Sequence, residues 1–172
     1  MALKIRVYPD AVLRRRAQPV AQITDELRKF ADALVETMVL AKGYGLAAPQ
    51  VGVLQRIIAI DVEQDFYVLI NPEILWASDE RLIGIEGCLS IPGIEAEVER
   101  PRQIRVRALN LDGQEILLEK DDLVARVLQH EIDHLDGILF IDHLSQAKRL
   151  TLLKEYERLK KTHRKSKAKV SL

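Results

Sequence analysis

The segment His130-Glu131-Ile132-Asp133-His134 has the residue types and spacing of a metal-assisted hydrolytic centre. On a helix, residues four apart share a face, so two imidazoles can bind one ion while Glu131, one step round, addresses a water on that ion. A divalent ion lowers the pKa of such a water towards neutrality and polarises a carbonyl. A neighbouring carboxylate can then take the proton as general base and return it to a leaving amine as general acid. Patterns this short also occur in ordinary helices whose histidines are satisfied by hydrogen bonds. Val127 and Leu123 extend the histidine face by one turn and two, so the site would have an apolar wall on which a substrate side chain could rest.

A catalytic site of this kind takes a third protein ligand and keeps one position open. The extended pattern HExxHxxGxxH would place a histidine at 140. Gly137 falls in place, but position 140 is Phe and His143 arrives three residues late, so that assignment fails. A small zinc metallopeptidase drawing Glu155 or Glu157 from a following helix stays open. So does a structural site closed to water by Cys88, His130, His134 and His143. Cys88 lies in GIEGCLSIPG, which reads as a loop leading to a strand; its thiolate could reach the metal, or it could be a small buried hydrophobe. The stretch from Gly43 to Gln50 tips the balance towards a built site. Its glycines let backbone approach a ligand closely, and Gln50 offers an amide N–H to an oxyanion, although read alone the stretch is only a turn.

The elements that must position these residues follow from periodicity. Thr24 caps an expected helix from Thr24 to Lys42, with Leu27, Phe30, Ala31, Leu34, Val35 and Met38 on one side and Gly43 ending it. RIIAID and FYVLINP read as strands. In IEAEVER, Ile94, Ala96 and Val98 alternate with Glu95, Glu97 and Glu99, which predicts a half-buried strand, and QIRVRALN alternates similarly. DDLVARVLQHEIDHLDG predicts a central helix capped by Asp121 or Asp122 and ended by Gly137. Ser145 caps a last helix to about Lys161, followed by a frayed basic end. Strands in runs followed by helices, without βαβ alternation, argue for an α+β fold: mostly antiparallel sheets packed around the central helix that carries the histidines, plus a C-terminal helix.

At 172 residues the chain fits one catalytic domain, with residues 145–172 forming the C-terminal helix and basic tail. With 48% hydrophobic and 30% charged residues it reads as globular and not disordered, so function must come from a local site. The N-terminus lacks the apolar core of a signal peptide, and no run of 18 apolar residues could span a bilayer, which points to the cytoplasm with no membrane contact. Cys88, the only cysteine, cannot form an internal disulfide. Net charge is zero, yet from Ala147 onward ten Lys or Arg face two Glu, so the basic tail and the acidic body differ in character. A basic helix of this kind attracts phosphate backbones.

GYGLAAPQVG at 43–52, EGCLSIPG at 86–93 and QHEIDHLDGILF at 129–140 together resemble the signature motifs of peptide deformylases in order and spacing, and the resemblance runs from the early YPDAVLRRRAQPV segment to the C-terminal helix. It implies removal of the formyl group from the N-terminal formyl-methionine of nascent polypeptides, with release of formate. It further implies that Cys88, His130 and His134 bind the metal and Glu131 is the acid/base. Gln50 and the backbone N–H of Leu89 would form the oxyanion hole, and Gly45 would hydrogen-bond the substrate backbone. Ligand preference alone would make the ion zinc. The resemblance implies Fe2+, with Zn2+, Ni2+ or Co2+ able to substitute. Work near ribosomes through the basic tail, and a monomeric state, complete the expectation. The sequence departs from the pattern at Tyr44, where a small aliphatic residue is usual, and in GIEAEVE at 93–99, which carries no Arg. An acidic strand facing the cleft would disfavour acidic substrates.

Overall fold

A computed structural model describes the backbone of residues 1–170 and side chains through His163. Helix α1 spans Asp25–Leu40, α2 Asp122–Leu135 and α3 Gln146–Val170. The strands are β1 Gly45–Ala47, β2 Ile57–Val62, β3 Asp65–Ala77, β4 Arg81–Cys88, β5 Ile91–Pro101, β6 Gln103–Leu109 and β7 Glu115–Asp121. All the strand pairings are antiparallel: one sheet in the order β1-β2-β3-β6-β7, and a separate β4-β5 hairpin. The fold is therefore α+β, with α2 at its centre.

The large sheet lies between two helices. Ile58, Ile60 and Val62 of β2 pack with Val106 and with Val124, Leu128 and Ile132 of α2, while Ile57 and Ala59 pack with Leu27, Leu34 and Met38 of α1. Burial on both faces explains why RIIAID is continuously apolar instead of alternating. A third cluster joins Leu13, Ile94, Val98 and Phe140 to Tyr156 of α3. The Tyr156 hydroxyl donates to the Tyr8 carbonyl at 2.7 Å, tying the last helix to the first residues.

The helix ends follow their caps. Thr24 Oγ1 accepts the Leu27 N–H at 3.1 Å, as its position before α1 predicts. At the other end Lys42, not Gly43, takes the left-handed conformation (φ 58°). Gly43 is needed for another reason, since a Cβ there would lie 2.6 Å from Leu89 Cδ1. Asp121 occupies the cap position of α2 without a side-chain cap hydrogen bond, and Gly137 (φ 73°) follows the helix. Ser145 Oγ accepts the Lys148 N–H, and α3 continues past Lys161 to Val170. For the expected frayed basic end, the side chains from Arg164 onward and the whole of residues 171–172 lie outside the described residues.

Two strands escape the period-2 pattern. The segment expected as a loop before Cys88 is β4, with Cys88 its last residue before a Leu89-Ser90 turn. Its glycines at 84 and 87 and its solvent-facing Ile83 and Ile85 hide the alternation. β7 is half-exposed along its length and likewise lacks a clear signal. Among the described residues no helix is long and apolar enough to cross a membrane.

Candidate metal centre

α2 brings His130 and His134 to one face, and the end of β4 delivers Cys88 to them. One donor atom from each of the three lies within 4.8 Å of the others, and Cys88 Sγ is 3.4 Å from His134 Nε2. His130 Nδ1 is 2.9 Å from Glu86 Oε1, which leaves its Nε2 for the site. Phe140, which occupies the place where the extended pattern would require a histidine, stacks on the His130 ring at 6.2 Å. His143 takes no part, because its Nε2 lies 2.8 Å from Asp133. Glu155 is paired with Arg158 on α3, and neither it nor Glu157 joins the cluster.

The electrostatics fit a cation. Burial pushes His134 down, and the charges of His130 and Arg100 reinforce it, so this imidazole is held neutral, the form that ligates. For His130, burial also pushes down, but Cys88 and Glu86 outweigh it and raise the pKa, because both neighbours favour positive charge on the imidazole. Two nitrogens and one sulfur in this arrangement suit a borderline divalent transition ion.

Glu131 sits beside this set, almost fully buried, with Oε1 unpartnered. Burial pushes its carboxyl up to about 7, with His130 and Arg100 opposing and Glu86 and Asp133 assisting. A carboxyl poised near neutrality can both take and return a proton. Gly45 explains how it is held: a Cβ there would lie 2.6 Å from Glu131 Oε2, so only glycine leaves room for the carboxylate. Gln50 is equally fixed. Its Oε1 accepts the Ala47 N–H at 2.9 Å, which turns Nε2 towards Ser90 Oγ at 3.1 Å and Cys88 Sγ at 3.6 Å.

These groups open on a cleft of about 680 Å³. Leu123 and Val127 line it, as the helix face predicts, together with Gly45, Leu89 and Gln50. Among the described residues β1, which bears Gly45, has β2 as its one partner strand; on its outer edge the Ala47 N–H is taken by Gln50, and no strand pairs with Gly45 there. Tyr44 and Glu95 stand at the rim; Glu97 and Glu99 share the exposed face of β5.

Sequence reasoning missed a buried charged cluster behind the ligands. Glu86 accepts from Arg100 at 2.6 and 2.9 Å and from Arg126 at 2.7 Å, and Arg100 also reaches Asp133 at 2.9 Å. Burial alone would raise the Glu86 carboxyl, but His130 and Arg100 hold it well below the usual carboxylate range. The available signal was slight: Glu86 on the strand that ends in Cys88, and Arg126 on the buried side of α2, four residues before His130.

The chain as a whole is similar to known proteins. A family model described as Polypeptide deformylase matches residues 2–150. A peptide deformylase of Bartonella bacilliformis is 47% identical over 163 residues, covering 88% of this chain and 90% of that protein. The crystal structure of a peptide deformylase from Legionella pneumophila superposes with a TM-score of 0.90 at 37% identity, covering 95% of this chain and 98% of that one. That of the Ehrlichia chaffeensis enzyme in complex with actinonin does so with a TM-score of 0.89 at 38% identity, with coverages of 95% and 98%.

Proposed function

The chain belongs to the polypeptide deformylase family, and from that premise we propose how its cleft removes the formyl group from the N-terminal methionine of nascent polypeptides as formate. Cys88, His130 and His134 would hold a divalent ion, which we read as Fe2+, with Zn2+, Ni2+ or Co2+ able to take the same ligands. Such an ion would supply acidification of a water and polarisation of the formyl carbonyl. Glu131 accepts the proton at its unpartnered Oε1 and returns it to the methionine nitrogen as the C–N bond breaks. Gly45 leaves the space that carboxylate occupies.

The Gln50 amide and the Leu89 backbone N–H donate to the oxygen on which negative charge develops. The substrate backbone adds to the outer edge of β1 at Gly45, and its methionine side chain rests on Leu123 and Val127. Tyr44 and Glu95 meet the residues that follow, and the acidic rim disfavours acidic ones. The observation that carries this reading is the convergence of the three donor atoms with a buried, unpartnered Glu131 oxygen in one cleft.

We read residues 1–172 as one catalytic domain that acts as a cytoplasmic monomer, with the basic stretch from Lys160 onward serving as a contact for ribosomal phosphates. Deleting residues 160–172 should weaken ribosome co-sedimentation at low salt, and unchanged binding would remove that element. The central test is formate release from formyl-Met-Ala-Ser by the iron-loaded protein, with unformylated and acetylated peptides as controls; no formate would overturn the reading. An iron–thiolate site should also lose activity on prolonged aerobic handling. Full retention would count against iron while leaving the reaction standing.

A further inference from the structure

Arg126 lines the cleft, yet it is buried and its guanidinium makes three hydrogen bonds to the β4-β5 hairpin. Nη1 donates to Glu86 Oε2 at 2.7 Å and to the Val98 carbonyl at 2.8 Å, and Nη2 donates to the Leu82 carbonyl at 2.8 Å. One side chain of α2 thus grips both strands of the β4-β5 hairpin. Space for it comes from Gly84, where a Cβ would lie 2.7 Å from Arg126 Nε.

Glu86 ties this grip to the ligands. Its Oε1 faces His130 Nδ1 at 2.9 Å and Arg100 Nη2 at 2.9 Å; its Oε2 faces Arg100 Nε at 2.6 Å and Arg126 Nη1 at 2.7 Å. Each oxygen therefore has two donors, which fills the acceptor capacity of a carboxylate and leaves it no second orientation. An imidazole held by such a carboxylate is fixed in both tautomer and ring angle.

We infer that Arg126 is a positioning residue for the metal centre: through Glu86 it orients His130, and through the Leu82 and Val98 carbonyls it keeps β4, and so Cys88, at ligand distance from α2. Its stem also walls the cleft beside Val127, so the seat of the substrate side chain and the geometry of the ligand set depend on one residue. This rests on the deformylase reading of the cleft, but its effect on metal binding does not require turnover.

The test uses the full chain loaded with Co2+ as a spectroscopic probe, with Arg126→Met, Arg126→Lys and Gly84→Ala beside the parent. Chelator competition gives Co2+ affinity, the visible ligand-field and thiolate bands report coordination, and kcat and KM are read on formyl-Met-Ala-Ser. Arg126→Met keeps the stem and removes the grip. It should weaken Co2+ binding about tenfold, alter the bands and lower kcat with less change in KM. Arg126→Lys should recover part of the affinity, because one donor returns to Glu86. Gly84→Ala, which displaces the guanidinium without removing it, should shift the bands in the same direction and serves if Arg126→Met does not fold. Unaltered affinity and bands in folded Arg126→Met, or in Gly84→Ala, would overturn the inference. A parent that binds Co2+ but releases no formate would instead overturn the deformylase reading.

Discussion

β2 is buried on both faces, with Ile58 and Ile60 against α2 and Ile57 and Ala59 against α1. β4, by contrast, turns Ile83 and Ile85 to solvent and meets α2 through Glu86 and the guanidinium groups of Arg100 and Arg126. The first kind of joint is non-directional and shared over many side chains, so no single residue decides its geometry. The second is directional, and each hydrogen bond has one angle and one partner. Cys88 belongs to the second strand and the two histidines to the helix it grips. Precision at the candidate metal site would thus come from a few charged contacts, whereas the free energy of folding comes mostly from the apolar layers.

That contrast can be broken at several strengths. The largest effect is expected at the carboxylate: Glu131→Gln should lower kcat by about 10³-fold while the chain still binds metal, because only proton transfer is lost. Steady-state kinetics with metal quantification checks this, and loss of the ion along with activity would mean that Glu131 holds the site together instead. Next is the apolar scaffold. Ile58→Ala should cost about 3 kcal/mol of stability in denaturant unfolding and leave kcat nearly unchanged at permissive temperature. A large fall in kcat with intact stability would erase the distinction between the two joints.

Gly45→Ala should be the converse case. A Cβ 2.6 Å from Glu131 Oε2 displaces the carboxylate, so kcat/KM should fall on the order of tenfold to a hundredfold with only a small change in Tm. Undiminished activity would show that Glu131 is not held by this contact. The mildest effect belongs to a half-exposed charged joint. At Asp142 burial pushes the carboxyl up, but Arg14 and the Leu139 N–H outweigh it and hold it low. A carboxyl depressed on folding contributes stability that is complete above its unfolded value of about 4 and fades as pH falls through the folded one. Asp142→Asn should therefore lower Tm slightly at pH 7 and shrink the drop in Tm between pH 5 and pH 3. Parallel pH profiles for variant and parent would dismiss the idea.

The same contrast explains what the amino-acid order disclosed. α1, α2, β5 and β6 bury apolar side chains at regular intervals, so periodicity reveals them, while β2 and the start of β3 show as short runs rich in Ile, Val and aromatics. The pairing of His130 with His134 around Glu131 is a local spacing and was equally visible. β4 was not, because its glycines make room for Arg126 and for the cleft, and its isoleucines face outward. Cys88 stood out only in company with the Gly43–Gln50 and His130–His134 segments, since nothing local distinguishes a ligand thiol from a packed one. Glu86, Arg100 and Arg126 were invisible as a group: in a linear text a buried charge looks like a solvated one, and Glu86 is 14 and 40 residues from its partners.

Among the described residues the large sheet ends in β1 and β7, each with one partner strand, and their outer edges are protected differently. An open edge offers a row of backbone donors and acceptors to any stray strand, which makes it a template for aggregation. β7 blunts that tendency with Glu115, Glu119, Lys120 and Asp121, charges that a neighbouring molecule would have to bury. β1 carries no charge, because Gly45 leaves room for Glu131 and Leu46 packs in the core, but its Ala47 N–H is covered by Gln50. Its defence is brevity and burial: at three buried residues it has too little length to seed a fibril.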